Sequence, residues 1–534
     1  MANIKQLSIP LFFIVANVLQ IFTAADDLTT YSAFTQCMQK NTNPNDHIED
    51  LIFFNANASF PSVLTSYIRN KRFESPATSK PLLIVTAKQV AHLQAAVRCT
   101  QQAAPLYNLR IRSGGHDYDG LSYTSSSPFI IVDMFNLRSI TVDARSKTAW
   151  VQTGAILGEL YYQISQASNV LAFPAGVCPT VGVGGHFSSG GYGNMLRRFG
   201  ITGDNIIDAQ VVDAKGRLLN RATMGEDFFW AIRGGGGGSF GIVVSYKITL
   251  VTVPPTVTVF SIDRFADENA VNVLYEWQKV APATDSNLFL RALVQQMNSR
   301  KNPGKMTVRV SFVAQYLGNA DSLVSLLASQ FPSLGLTKSD CKEVSWIQSV
   351  LWWWFFDPAT TSPSVLLRRD FSATYLKRKS DYVQTPISIA GWNSIMAKML
   401  SLQTPWLILN PYGGRMSQIQ SSALPFPHRM GNLYKIQYLE DWNDGSAASE
   451  KDNLDRVRQL YSFMTPFVSK NPRSSFLAYR DVDIGVMPLG SNSLAAGSVY
   501  GEKYFNGNFA RLVNVKTAVD PTNFFRNEQS IPTR

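Results

Sequence analysis

The sequence predicts a two-domain α+β protein, and three observations lead there. The chain has 534 residues, more than a single hydrophobic core usually supports. Its first half opens with the apolar run Leu82-Leu83-Ile84-Val85 and an amphipathic helical pattern from Ala87 to Gln102, then alternates short apolar runs with Gly, Ser and Asp turns. A different texture begins at Val251-Thr252-Val253-Pro254-Pro255. There strand-like runs such as Met306 to Tyr316 alternate with helix-like runs such as Asp321 to Gln330 and Ser449 to Val468, the pattern of an antiparallel sheet covered by helices.

These shifts divide the chain into a leader over 1–25, a first domain over 26–250, a second over 251–488, and a tail over 489–534 that returns to the first domain. The leader is apolar from Leu7 to about Phe22 and closes on the small residues Thr23, Ala24 and Ala25, a signal-peptide pattern. It is short for a membrane anchor and is interrupted by Pro10, Asn17 and Gln20, so secretion is expected, to the cell wall or a secretory compartment such as the vacuole, with no stable membrane insertion. Helix-like text runs from there to about Thr65. The strand-helix unit at 82–102 follows, then short strands from Ile111 to Val142, and β-rich text again at Thr148 to Val151 and from Val181 to Ile207.

With 45% hydrophobic and 16% charged residues and no low-complexity tract, the chain reads as ordered and globular. The net charge of +11 is spread along it. The densest basic runs, Arg368-Arg369 and Lys377-Arg378-Lys379, sit in no stacking-aromatic motif, so no nucleic-acid partner is expected. The five histidines, His47, His92, His116, His186 and His428, form no metal-ligand spacing. Export permits disulfides. Spacing alone does not pair the four cysteines, but Cys37 and Cys99 lie in polar helix-like contexts and Cys178 beside a glycine-rich run, so a Cys37–Cys99 bridge leaves Cys178 free for chemistry and Cys341 a buried bystander. Asn57-Ala58-Ser59 is a glycosylation sequon.

Three glycine clusters carry the functional signal: Arg112-Ser113-Gly114-Gly115-His116, the run from Gly182 to Gly193, and the run from Arg233 to Gly241. Glycines let backbone N–H groups approach a phosphate closely, and three such loops in one domain suggest an extended anionic cofactor. None stands where a dinucleotide fingerprint belongs, and no phosphate-loop Lys-Ser/Thr pair follows them. Gly237-Gly238-Ser239-Phe240-Gly241 has the spacing of a nucleophile elbow, but β-branched Ile242-Val243-Val244 follows where a helix is required.

Arg112-Ser113-Gly114-Gly115-His116, Cys178-Pro179-Thr180-Val181-Gly182-Val183-Gly184-Gly185-His186, Gly225-Glu226-Asp227-Phe228-Phe229-Trp230-Ala231-Ile232-Arg233-Gly234 and Pro521-Thr522-Asn523-Phe524-Phe525 together resemble the berberine bridge enzyme-like family, in order and over nearly the whole chain after the leader. The resemblance implies a PCMH-type FAD-binding domain of the vanillyl-alcohol-oxidase kind over about 77–252. It also implies one FAD held by two covalent bonds, from His116 to the flavin 8α-methyl group and from Cys178 to flavin C6. The cofactor-binding set is then Arg112, Ser113, Gly114, Gly115, His116, Cys178, Val181, Gly184, Gly185, Ser189, Gly190, Gly241, Val243 and Asn523. Val181 falls where the family controls oxygen access, and its small side chain resembles the oxidases, which implies O2 as acceptor and H2O2 as product.

On the substrate side, alternation in Leu433-Tyr434-Lys435-Ile436-Gln437-Tyr438 puts Lys435 and Gln437 on one strand face. Berberine bridge enzyme has a catalytic glutamate where Gln437 stands. The pair Lys435 and Gln437, with Tyr118, Tyr192 and Tyr479, instead resembles the branch that oxidises monolignol-type alcohols, in which a tyrosinate supported by the lysine takes the substrate proton. A nearby ammonium favours a phenolate, which supplies the physical reason. The expected reaction is oxidation of a phenolic or allylic alcohol, or of a prenylated phenolic, with hydride passing to flavin N5. The alternatives are an oxidative or pericyclic cyclase, a carbohydrate oxidase, and a defence or binding protein with a vestigial flavin.

Overall fold

A computed structural model describes residues 26–370 and 373–534, and the leader expected over 1–25 lies outside the described residues. The apolar run near residue 82 becomes a strand because Leu83, Ile84 and Val85 are buried, as a strand covered on both faces requires. A four-stranded sheet forms around it from β1 (Ile52–Phe54), β2 (Leu83–Thr86), β3 (Asn108–Arg112) and β4 (Phe129–Asp133), in the order β1-β2-β4-β3, with β2, β4 and β3 parallel. The helix Val90–Ala103 covers it with Leu93, Ala96, Val97 and Thr100, spaced at helical period. A disulfide joins Cys99 of this helix to Cys37 in the helix over 26–41, the expected bridge, with Cα atoms 5.6 Å apart. The remaining cysteines are free, and Cys341 is half-exposed rather than buried.

A second, antiparallel sheet combines β5 (Ile140–Asp143), β6 (Thr148–Gln152), β8 (Ile206–Val212), β9 (Leu218–Leu219) and β10 (Ile242–Thr249), in the order β5-β6-β10-β8-β9. The short strand β7 (Leu171–Ala172) pairs separately with β11 (Val251–Thr252). The α+β class holds. Two local expectations do not: Ile52–Phe54 is a strand inside text read as helical, and the stretch from Val181 to Ile207 is not β-rich. Its glycines wind into the short helix Val183–Ser188, and its amides bond Ala155 O and Thr153 O instead of a neighbouring strand.

The second half builds one seven-stranded antiparallel sheet from β12 (Val257–Phe265), β13 (Leu288–Asn298), β14 (Met306–Tyr316), β15 (Lys342–Val344), β16 (Tyr375–Val383), β17 (Trp406–Pro411) and β18 (Tyr434–Trp442), in the order β15-β12-β14-β13-β17-β18-β16. Helices Ala270–Ala283, Ile389–Leu402 and Ala447–Phe463 cover one face, burying Leu274, Trp277, Trp392, Met399, Val457 and Leu460 against it. The opposite face is left for the site.

Helices Leu494–Phe505 and Phe509–Val519 pack Tyr500, Tyr504, Phe505, Leu512 and Val513 into the same hydrophobic cluster as Phe228, Trp230 and Tyr246. Lys516, fully buried, ties this tail to the third glycine loop. Its Nζ donates to Ser239 O (2.7 Å), Phe525 O (2.7 Å) and Asp520 Oδ2 (2.6 Å), and burial pushes the amine down to about 8. Among the described residues no helix is long and apolar enough to cross a membrane.

Candidate active site

The first two glycine loops touch backbone to backbone. A Cβ on Gly114 would stand 2.4 Å from Gly182 N, and one on Gly182 would stand 2.2 Å from Ser113 Oγ, so side chains there would drive the loops apart. Gly115 has φ +68° and would meet Tyr67 O at 1.9 Å. Ser113 Oγ donates to Thr153 O (2.5 Å), Gly184 N donates to the same carbonyl (3.2 Å), and Thr153 Oγ1 donates to Val243 O (2.6 Å), so β6 and β10 are stitched to both loops. The result sets His116 beside the Cys178 segment, with His116 Nε2 3.0 Å from Thr180 Oγ1. Burial, then the Arg69 charge, pushes the His116 imidazole down to about 3. Burial pushes the Cys178 thiol up to about 11 against the opposing pull of Arg291 and Arg378.

Not every residue of the cofactor set presents itself to a ligand. Gly185 does: it is exposed, and a Cβ there would meet nothing within 4 Å. Gly184 and Val181 are half-buried beside it. By contrast Gly190 and Gly241 are packed against Ile201 and against Val211 and Val212, and Ser189 Oγ donates to Gly185 O. The Arg112 side chain is a correction to the cofactor set. Fully buried, its guanidinium donates to Asp133 Oδ2 and to Leu64 O and Val63 O, so it anchors the loop rather than reaching a phosphate. Asn523 is not brought to the glycine loops. Its amide donates to Asn492 Oδ1 (2.9 Å), and it lines a cavity of about 240 Å³ with Asn108 and Arg110, at the end of β3 opposite the glycine loop.

The sheet supplies the other side. Along β18, Tyr434, Ile436 and Tyr438 enter the helix-covered core while Lys435 and Gln437 face the opposite way, as alternation requires. Asn410 pairs with Lys435 across β17 and β18, and the Ala292–Leu409 pairing continues to Arg291 and Asn410, so Arg291, Asn410 and Lys435 form one row across three strands. Onto this row the first domain brings Tyr192 and Tyr118, and the segment after β18 brings Tyr479.

The hydroxyls of Tyr192 and Tyr479 are hydrogen-bonded to each other. Asn410 Nδ2 donates to Tyr192 Oη (3.2 Å), and Arg291 Nε donates to Asn410 Oδ1 (2.8 Å), which fixes the amide with its N–H toward the tyrosine. Gln437 Nε2 donates to Tyr118 Oη (2.9 Å). Lys435 is fully buried with its Nζ 3.3 Å from the ring centroid of Tyr192, 3.9 Å from that of Phe476 and 4.3 Å from that of Tyr479, and among the described residues no hydrogen-bond acceptor meets it.

This geometry corrects the expected charge balance. Burial holds the Lys435 amine well below the usual lysine range, with Arg291 adding to the effect, so Lys435 is poorly suited to stay cationic. Burial likewise raises Tyr192 and Tyr118, and raises Tyr479 well above the usual phenol range. The cation that opposes burial at both Tyr192 and Tyr479 is Arg291. Of the two, Tyr192 is the better placed phenolate, because its oxygen also accepts from Asn410. Arg291 and Asn410 were missed in the sequence. Their signal was a lone polar residue within otherwise apolar strand text, Leu288-Phe289-Leu290-Arg291-Ala292-Leu293 and Leu407-Ile408-Leu409-Asn410.

Paired glycine loops face a sheet that presents a buried tyrosine pair, and the family matches define the class this frame belongs to, the FAD-dependent oxidoreductases. The family profile described as FAD binding domain matches residues 81–221, and the profile described as berberine and berberine like matches residues 475–532. Berberine bridge enzyme-like 8 of Arabidopsis thaliana is 52% identical over 528 residues, covering 98% of each chain. The berberine bridge enzyme structure from Eschscholzia californica superposes with TM-score 0.87 at 36% identity, covering 94% of this chain and 99% of that one. Phl p 4, a grass pollen allergen described as having glucose dehydrogenase activity, superposes with TM-score 0.88 at 43% identity over 94% of this chain and 99% of its own. A variant of Phl p 4 with isoleucine-to-valine and asparagine-to-histidine changes is described as a glucose oxidase. The chain belongs to the berberine bridge enzyme-like family.

Proposed function

We propose that this chain is a secreted oxidase that removes hydride from an alcohol carbon of a phenolic, allylic or sugar substrate. The observation that carries the reading is the buried Tyr192–Tyr479 pair, hydrogen-bonded by Asn410 and faced by Arg291. The loops fit a flavin nucleotide: Gly185 stands open, Gly114 and Gly182 leave room only for backbone, and the His116 imidazole and the segment of the Cys178 thiol adjoin. His116 and Cys178 would hold the cofactor, and bound FAD would supply the two-electron acceptor for the hydride.

The chain's own part is proton work and positioning. Tyr192 takes the hydroxyl proton of the substrate, Asn410 and Tyr479 donate to the phenolate that has to form, and Arg291 opposes the burial that disfavours it. Gln437 holds Tyr118 at the other edge of the cluster. Val181 supports O2 as acceptor by its small size, and an isoleucine-to-valine change, at a position not aligned to this chain, is among those of the Phl p 4 variant described as a glucose oxidase. Phl p 4 itself favours including sugars beside the phenolics.

The test is anaerobic absorbance of the flavin-loaded protein against monolignols, prenylated phenols, glucose and oligosaccharides, followed by air. Bleaching by one class with rapid return in air is the expected result. Bleaching with slow return makes the protein a dehydrogenase. No bleaching by any class overturns the redox reading in favour of a non-oxidative cyclase or a flavin without turnover.

A further inference from the structure

The densest basic run in the sequence, Lys377-Arg378-Lys379, is not a surface patch. The three residues are 1%, 7% and 2% exposed, on the edge strand β16. Arg378 lies over the Tyr118 ring at 5.7 Å, on the face shared with Gln437. Lys377 and Lys379 take the other face, where two segments from elsewhere in the chain meet them. Lys377 Nζ lies 2.8 Å from Asp119 Oδ2 and 2.8 Å from Asp481 Oδ1, and Lys379 Nζ lies 2.7 Å from Asp481 Oδ2 and 2.8 Å from Asp483 Oδ2.

The two segments are those that carry the chemistry. In His116-Asp117-Tyr118-Asp119, Tyr118 meets Gln437 at the site while Asp119 meets Lys377; in Tyr479-Arg480-Asp481-Val482-Asp483, Tyr479 meets Tyr192 while Asp481 and Asp483 meet the lysines. They are cross-connected twice more: Arg480 Nε donates to Asp117 Oδ2 (2.9 Å), and Val482 N donates to Asp119 Oδ2 (2.8 Å).

Apolar side chains of equal volume would serve stability as well as buried ion pairs or better, so what this cluster contributes beyond them is fixed geometry. We propose that the cluster is a positioning element of the redox site, in which Lys377, bridging Asp119 and Asp481, holds the loop of His116 and Tyr118 in register with the segment of Tyr479. The inference rests on the redox reading above. Displacements near 1 Å at a reacting centre lower rates on the order of 10²-fold, which sets the scale of the effect.

The experiment compares Lys377→Met, Lys377→Arg and Asp119→Asn with the wild type as flavin-loaded full chains. It measures flavin per chain after denaturation, visible circular dichroism of the bound flavin before substrate, and the anaerobic reduction rate per flavin. Lys377→Met is expected to keep its flavin, to change the dichroism, and to slow reduction roughly 10–100-fold through kcat rather than KM. Lys377→Arg, which can still bridge two carboxylates, is expected to restore most of the rate, and Asp119→Asn to move in the direction of Lys377→Met by a smaller amount. Wild-type dichroism and rate per flavin in Lys377→Met overturn the proposal, as does a loss that only follows the yield of folded protein. Should Lys377→Met fail to fold, the isosteric Asp119→Asn decides by the same two readouts. Should no substrate reduce the wild type, the redox reading fails while the dichroism still decides the positioning.

Discussion

The glycine loops and the sheet face build the two sides of one site from opposite materials. At Gly114, Gly182 and Gly185 the first domain removes side chains so that backbone can lie against backbone and against a ligand. At Arg291, Asn410 and Lys435 the sheet does the reverse, placing one polar side chain from each of three strands in a row and surrounding the row with aromatic rings. The first wall is drawn from two short glycine runs, and at Gly114 and Gly182 it has no room for a side chain. The second is dispersed in sequence, and each member can change alone. A family that keeps its cofactor and varies its substrate would be expected to hold the first wall constant and vary the second.

The largest effect that would sharpen this contrast lies on the sheet side. Tyr192→Phe leaves ring packing intact and removes the hydroxyl that meets Tyr479 and Asn410, so anaerobic flavin reduction should slow about 10²- to 10⁴-fold while flavin content stays at the wild-type level. Arg291→Met comes next, with an expected loss of about 10-fold or more at pH 7. Because Arg291 opposes the burial that raises Tyr192, its removal raises that tyrosine further, and the rising limb of reduction rate against pH should move to higher pH. An unmoved limb would show that Arg291 does not act through Tyr192.

The glycine wall is tested by a pair of variants. Gly114→Ala forces a Cβ to within 2.4 Å of Gly182 N and should lower stability by about 1–3 kcal/mol, read by thermal unfolding. Gly185→Ala meets no protein atom and should leave unfolding unchanged while lowering flavin per chain. Equal unfolding shifts in the two would break the distinction between a glycine kept for the fold and one kept for the ligand.

The effect with least bearing on the reaction lies behind the sheet. Glu440 on β18 is buried beside Thr404, and burial raises its carboxyl from 4.5 to about 7. The folded state therefore favours the protonated form. Stability from this group is full below about pH 4.5 and falls as pH rises toward 7, by at most ~3 kcal/mol. Glu440→Gln should flatten that part of the stability profile and leave the flavin reduction rate alone.

Much of this was legible because the residues concerned are neighbours in sequence. The three glycine clusters and the alternation that sends Lys435 and Gln437 to one face both follow from short stretches of text. The parts that were not legible depend on strand register. Nothing local says that Arg291 and Asn410 stand side by side, because the pairing of β13 with β17 joins positions 119 residues apart. The burial of Lys377-Arg378-Lys379 was hidden for the same reason: its carboxylates are supplied by residues 119, 481 and 483. Arg112 entered the cofactor set with the glycine motif it opens, and only the fold shows Asp133 and two carbonyls saturating its side chain.

The tail that Lys516 pins to Ser239 also bears on the order of events during synthesis. Tyr500, Leu512 and Val513 complete a cluster whose other members, such as Phe228 and Tyr246, emerge from the ribosome more than 250 residues earlier. The third glycine loop thus waits for nearly the entire polypeptide before its carbonyl is anchored. A chain stalled before residue 494 would leave this apolar surface exposed to quality control.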